Sequence, residues 1–371
     1  MDNAQITLYP SNWLYNAGVI GFLKVLEEVK KLEEYKNKIA ISFDEEFIEI
    51  KLEGLHIQNK NDLENIIFKK WNEITSQKLK ISYEGKTKGN KNSYYSNQTE
   101  KSRRNRIKLL LQIENIQIEN KRRKFWLSCS FCGSISSTTK SKLRMLNQSF
   151  GNILLGSERT FPNTYWMLKS KEFVCPKCEF ILMCHHIPFV FLKENKTDKI
   201  EIFINAPNFR LIWDLNKFTE NIIKYKEYEV RKLLGLSLLE WAIKRRALLG
   251  AWTMMNIEVI IKKENTIDYF DLPYHITKIL LNYEIADLIN QIGEEKIFDL
   301  ILAGKFSELE KANYYVLRTI LKLKNNEEIS DNDPITKYFD NYNNLYNLQK
   351  VSKILPQLYG KIIKSLEKKE V

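Results

Sequence analysis

A chain of 371 residues with 44% hydrophobic content is long enough for two or three domains, each with a core of its own. Its most obvious apolar run, residues 187–192, is strand length and far short of the ~18 residues that cross a bilayer, which argues against a membrane protein. The net charge of +12 points instead to a polyanionic partner. Five cysteines, an odd number, behind the start Met1-Asp2-Asn3-Ala4, which lacks the basic residues of an export signal, lead to the expectation of a cytoplasmic protein.

Residues 10–35 read as a first helix, opened by Pro10-Ser11-Asn12 and carrying Trp13, Leu14, Ala17, Ile20, Leu23, Val25, Leu26 and Val29 on a broad apolar face. Gly18 and Gly21 stand three apart inside it. Glycine costs a helix interior about 1 kcal/mol relative to alanine, so the pair predicts either close approach of another backbone or a break. Residues 39–43 and 47–52 predict a hairpin around Asp44-Glu45, and 62–77 predict a second helix with Leu63, Ile66, Ile67, Trp71 and Ile74 on one side.

The pattern then stops. Residues 84–106 are mostly Gly, Lys, Asn, Ser and Arg around Tyr94-Tyr95, too poor in apolar area to offset the entropy of ordering, and predict a mobile basic loop. Residues 84–124 hold twelve Lys or Arg against four Glu, a net of +8. A ninth of the chain thus carries two thirds of the excess charge. Lys86, Lys88, Lys91, Arg103, Arg104, Arg106 and the run Lys121-Arg122-Arg123-Lys124 are candidates to track phosphates, with Tyr94, Tyr95 or Trp126 to stack on bases. A solvated loop without ligand is the plain alternative. Between these basic stretches, residues 109–118 form an apolar element ambiguous between helix and strand.

Cys129-Ser-Phe-Cys132-Gly133 and Cys175-Pro-Lys-Cys178 follow. Two Cys-x-x-Cys pairs put four thiolates on two tight turns, the donor set of a tetrahedral Zn2+ site. The 42 residues between the pairs exceed the roughly 15 to 20 of compact zinc ribbons. An inserted element is therefore expected over 140–169, with Leu143, Met145, Leu146 and Phe150 at helical spacing. A degenerate site without metal, or a redox pair, are the alternatives, the second lacking any visible strand-to-helix context. Cys184, His185 and His186 could supply a replacement ligand or simply lead out of the second knuckle.

Residues 187–192 and 200–204 predict a hairpin, 216–251 helix with Arg231, Lys232, Lys244, Arg245 and Arg246, and 257–261 with 267–270 a last hairpin. From Pro273 strand signals vanish. Segments near 274–292, 294–303, 306–323 and 334–367 carry helical periodicity, an all-helical bundle. No phosphate-binding loop, dinucleotide fingerprint, Gly-x-Ser-x-Gly elbow or His-Glu-x-x-His occurs. Asp44 with Glu49-Ile50-Lys51 is the nearest thing to a metal-dependent nuclease site, although Glu-x-Lys also arises on the solvent side of any lysine-rich strand. His56 and His275 stand alone.

The fold class expected is α+β: a mixed N-terminal body with a zinc-ribbon-like insertion, then an all-helical bundle. The expected divisions are 1–124, 125–190, 191–272 and 273–371. The opening Asn12-Trp13-Leu14-Tyr15-Asn16-Ala17-Gly18-Val19-Ile20-Gly21-Phe22-Leu23, with the four widely spaced cysteines, resembles the CXXC-CXXC family of CRISPR-associated proteins, the large subunit of type I Cascade complexes. That resemblance implies a non-enzymatic subunit beside the crRNA 5′ end. Its partners would be crRNA, target double-stranded DNA, the backbone repeat proteins, the small subunit and a recruited helicase-nuclease. Its role would be to read the motif flanking the target, help open the duplex and hold the displaced strand. A free-standing zinc-ribbon nucleic-acid binder, or a nuclease, are the rival readings. Met254-Met255 could also start a separate small subunit of about 117 residues that carries the bundle.

Overall fold

A computed structural model of the chain describes residues 4–52, 57–79, 104, 106–108, 110–111, 124–139, 145–146, 172–194, 199–226, 228–263 and 267–367. It divides into two compact units, residues 1–216 with 260–269 and residues 217–259 with 270–371. Residues 217–259, which the sequence reading grouped with the α+β body, cluster with the C-terminal helices. No helix among the described residues is long and apolar enough to cross a membrane.

The first unit is built on helix α1 (Trp13–Lys30). Asn12 caps it, its side chain accepting from the Tyr15 N–H at 3.0 Å, which satisfies one of the free donors at a helix start. Thirteen of its eighteen residues are buried, so α1 is a central rather than a surface helix. It lies against helix α2 (Ile57–Leu79), helix α3 (Pro176–Met183) and strand β9 (Lys199–Asn205). Leu63, Ile67, Phe68 and Trp71 of α2 are buried, and the Trp71 indole donates to the Met183 carbonyl at 3.3 Å.

The hairpin of β2 (Ile39–Phe43) and β3 (Ile48–Leu52) forms as the alternation predicts. It gains a partner that the sequence did not announce: β1 (Ala4–Leu8) pairs antiparallel on the other side, giving the order β1-β3-β2. Ile48, Ile50 and Leu52 of β3 are buried. On the opposite face Glu49 pairs with Lys51 at 2.8 Å and accepts from Gln5, while Asp44 accepts from the Glu45 N–H.

The predicted hairpin after the second cysteine pair is β8 (Val190–Glu194) with β9, bulged between Phe191 and Lys193. A four-stranded sheet runs in the order β11-β10-β9-β8, with β10 at Glu258–Lys262 and β11 at Ile267–Phe270. Asn216 of helix α4 (Phe209–Ile223) accepts from the Ile204 N–H and donates to the carbonyls of Ile204 and Ile212 at 2.7 to 2.9 Å. Buried Asn16 donates to buried Asn205 at 2.9 Å.

The second unit carries α5 (Val230–Arg245), α6 (Ala251–Met255), α7 (Tyr274–Leu280), α8 (Tyr283–Ile292), α9 (Glu295–Leu302), α10 (Ser307–Lys324) and α11 (Leu345–Glu367). A short 3-10 turn, Pro334–Lys337, precedes α11, so the helix expected over 334–367 starts later. Gly293 at φ +68° and Gly304 at φ +70° end α8 and α9, a conformation that costs glycine nothing. α11 packs on α10 and α8, and α5 on α7, α8 and α9. The Gly235 backbone of α5 comes so near α9 that a methyl there would sit 2.6 Å from Leu302 Cδ2 and 3.0 Å from Phe298 Cζ.

Two sequence expectations differ from the fold. Met145 and Leu146, read as part of a helix, form strand β6, paired antiparallel with β7 (Glu172–Phe173). Pairing with a strand fixed beside the second knuckle overrides the local helical spacing; Leu143 and Phe150 lie outside the described residues. Arg106 is buried, so the last residue of the loop expected over 84–106 is packed chain; buried Leu110 and Leu111 agree with the apolar element expected over 109–118. Most of residues 84–106 lies outside the described residues, as does His56.

Candidate metal centre

Cys129 and Cys132 sit on the turn that joins β4 (Lys124–Ser128) to β5 (Ile135–Thr139). The Gly133 N–H donates to the Cys129 carbonyl at 2.9 Å and the Cys129 N–H to the Ser134 carbonyl at 3.0 Å, with Gly133 at φ +69°. Glycine makes this tight return possible without steric cost. Cys175 and Cys178 sit elsewhere in secondary structure: Cys175 is the N-cap of α3, Pro176 opens the helix, and the Cys178 N–H points at the Cys175 sulfur at 3.5 Å. A strand-to-helix context, absent from the sequence reading, thus exists at the second pair: β7 runs directly into α3.

The two turns face each other. The Ser130 N–H donates to the Phe173 carbonyl at 3.0 Å, and the Cys175 N–H approaches the Cys129 sulfur at 3.4 Å. All four Sγ atoms lie within 4.8 Å of one another, with Cys132 and Cys175 3.7 Å apart. A tetrahedral cation bound to sulfur at about 2.3 Å sets its ligands about 3.8 Å apart, so the donor set fits a metal ion. Among the described residues these cysteines are the group of His, Cys, Asp and Glu side chains placed to hold one. Cys129, Cys175 and Cys178 are buried and Cys132 is exposed.

Four thiols this close cannot all ionise without a cation between them. Hydrogen bonds from Cys129 first, then from Cys175 and Cys178, drive the Cys132 thiol down. The thiols of Cys175 and Cys178 are driven up, with Cys129 the foremost cause in each. The N-terminus of α3 favours negative charge on its two sulfurs, and Ser134 Oγ lies 2.9 Å from Cys132 Sγ.

The environment comes from α1. Tyr15 is buried, stacks on Phe131 at 6.1 Å and hydrogen bonds to Cys178; its hydroxyl is pushed well up by burial, then by the neighbouring thiolates. Gly18 and Gly21 carry α1 across α3: methyl groups there would lie 2.9 Å from the carbonyl carbons of Ile181 and Cys184, and closer still to their oxygens. The close approach that the glycine pair predicted is made by the helix holding the second cysteine pair.

The remaining candidates fall as follows. Cys184, His185 and His186 are buried in the turn after α3 and join no ligand group among the described residues: His185 Nδ1 lies 2.7 Å from the Leu182 carbonyl and His186 Nε2 3.0 Å from Thr75 Oγ1. Arg106, expected to face phosphate, is 8% exposed and pairs with buried Glu179 of α3 at 2.8 Å. Removing a guanidinium from solvent requires such a partner, so its role is to tie the basic segment to the cysteine-bearing helix. Arg104 sits over Phe68 at 4.8 Å and donates to Asn65. Lys86, Lys88, Lys91, Arg103, Lys121, Arg122 and Arg123 lie outside the described residues, and Lys124 is placed at the start of β4. Tyr15 escaped the sequence reading as a neighbour of the cluster, since nothing local links α1 to cysteines more than a hundred residues on.

Comparison with curated proteins yields no match. Residues 124–191, from the start of β4 to the start of β8, match the family described as CRISPR-associated protein (Cas_CXXC_CXXC). The matched segment contains all four cysteines and the whole of α3, so the similarity to that family covers the part of the chain that builds the four-cysteine cluster.

Proposed function

We propose that this chain is the non-catalytic large subunit of a type I Cascade complex, an RNA-guided DNA surveillance particle. The observation that carries this reading is the family match over the segment that builds the four-cysteine centre. The close packing of the α1 glycines on α3 supports it, because the opening motif and the cysteine segment, which together carry the resemblance, meet in space. In this role the protein reads the flanking motif in double-stranded DNA, helps open the duplex, stabilises the displaced strand and helps recruit a helicase-nuclease, while crRNA pairing supplies the sequence information. The backbone repeat proteins and the small subunit are its proposed protein partners. Lys86, Lys88, Lys91, Arg103, Arg104 and the 121–124 run are the proposed phosphate contacts; Arg106, paired inside the fold, is not among them.

The metal proposed for the centre is Zn2+. Four thiolates leave no open coordination position for water, so the ion holds β4–β5 to α3 and does no chemistry. Cys175→Ser with Cys178→Ser is expected to abolish one equivalent of zinc and to lower the melting temperature by several degrees or more. A doubly substituted protein that melts like the wild type would sink the structural role.

Expression of the tagged chain in its native host, followed by pull-down, RNA extraction and metal analysis, tests the main proposal. Guide-length RNA of uniform size together with repeat-protein subunits is the expected outcome. Recovery of the chain alone, with or without zinc, would overturn it in favour of a free-standing nucleic-acid binder.

A further inference from the structure

We infer that the segment from Lys244 to Asn256 is a binding site for single-stranded nucleic acid, in which Trp252 stacks on a base and Lys244, Arg245 and Arg246 meet the phosphates. The inference rests on the nucleic-acid reading above but concerns a different surface, in the second unit. From Trp241 to Ile257 the sequence contains three basic residues and no acidic one. The structure turns this stretch outward: Leu248 is 94% exposed, Trp252 67% and Met255 55%. These are large apolar side chains in water, each beside or within one helical turn of the next.

The segment is held from beneath, not loosely attached. Arg246 takes a left-handed conformation at the end of α5, at φ +50°, and its N–H donates to the Ala242 carbonyl at 3.0 Å. Its guanidinium lies 4.4 Å from the centre of the Tyr283 ring. Lys244 pairs with Glu240 on the same helix. Met254 and Ile257 are buried beneath the outward residues, and the Asn256 amide donates to the Trp252 carbonyl at 2.6 Å. The indole and the cations are thus presented from a fixed base.

The chemistry of this presentation selects the occupant. A protein helix needs a groove lined by apolar residues, whereas here Leu248 projects from the turn after α5 and Trp252 from the short helix α6, on a segment whose N-terminal end carries Lys244, Arg245 and Arg246. An exposed indole and three adjacent cations on one short segment is a pairing suited to an unpaired strand: bases stack on the ring irrespective of sequence and the cations follow the backbone.

The test uses the purified full-length chain and a labelled mixed-sequence single strand of about 20 nucleotides, longer than one such site, with the matching duplex as comparison. Fluorescence anisotropy is followed at low and at physiological salt. Trp252→Ala, at an exposed position and therefore neutral to folding, is expected to weaken single-strand binding about tenfold. Replacing Lys244, Arg245 and Arg246 by glutamine is expected to reduce the salt slope by about 2. Wild-type affinity and slope in all these variants would overturn the inference, as would a wild-type chain that binds no strand. Variants that keep strand binding but no longer assemble with protein subunits would overturn it in favour of a protein interface. The surveillance-complex reading is judged separately, by guide-RNA recovery with the wild-type chain, so either can fail alone.

Discussion

At Gly21 there is no room for a methyl group, because the carbonyl of Cys184, the C-cap of α3, fills the space where Cβ would be. The obstacle is backbone, which cannot rotate aside as a side chain can, so Gly21→Ala must push two helices apart. Overpacking of this kind costs about 1–3 kcal/mol. Gly360, on α11, is the opposite case, with nothing within 4 Å of a built Cβ, and Gly360→Ala is expected to stabilise by about 0.5–1 kcal/mol. Chemical denaturation of the two variants should therefore shift in opposite directions, and a Gly21→Ala protein as stable as wild type would show that the α1–α3 contact is wrong. The sequence marked Gly18 and Gly21 as unusual because glycine in an apolar helix face has a price. It could not name their partner, some 160 positions away. Arg106 shows the converse limit: in sequence it is one cation of a basic stretch, and only the fold reveals that Glu179, 73 positions on, takes it into the interior.

Among the elements, those set by local chemistry were legible. Asn12 and the apolar spacing after it fix the start of α1, alternation fixes β2 with β3 and β8 with β9, and Cys-x-x-Cys spacing fixes both knuckles. Elements set by distant partners were not: β1 exists because β3 has a free edge, and β6 because β7 is there to pair with it. The turn after α3 has a consequence for pH. His185 and His186 are both buried, and desolvation lowers each, His185 to about 3, with Lys262 adding repulsion to both and Lys78 to His186. Neutral imidazole is the form that the fold accepts. With the folded value below the unfolded one of about 6.5, the contribution to stability is full above pH 6.5 and lost as pH falls toward 3, about 2 kcal/mol from His185 by pH 5. Acid also protonates thiolates and releases a bound metal, in the same direction, so a variant must separate the two. The loss of denaturation midpoint between pH 7 and pH 5 should be smaller in His185→Gln than in wild type; an equal loss would mean that the imidazole is not what the acid attacks.

For the whole chain, the two-unit division bears on whether Met254 or Met255 could begin a self-sufficient small subunit. The sequence placed the entire helical bundle after these residues, since strand signals end at Pro273. In the structure the second unit also contains α5, which ends at Arg245, before either methionine. α5 buries Leu233, Leu234, Leu238, Leu239 and Trp241 against α7, α8 and α9, with Lys232 bridging Glu295 at 2.6 Å and Asp299 at 2.8 Å. At about 1.5–3 kcal/mol for each large apolar side chain, the contact is worth on the order of 10 kcal/mol, comparable to the 5–15 kcal/mol that keeps a typical domain folded. A product of residues 255–371 loses that helix and bares the faces it covered. Purified alone, it is expected to show no cooperative thermal transition or to self-associate, with another apolar helix taking the place of α5. Thermal melting with size measurement by light scattering checks this. A monomer of residues 255–371 that melts cooperatively would show that α5 is dispensable, and that the bundle can be made as a subunit of its own.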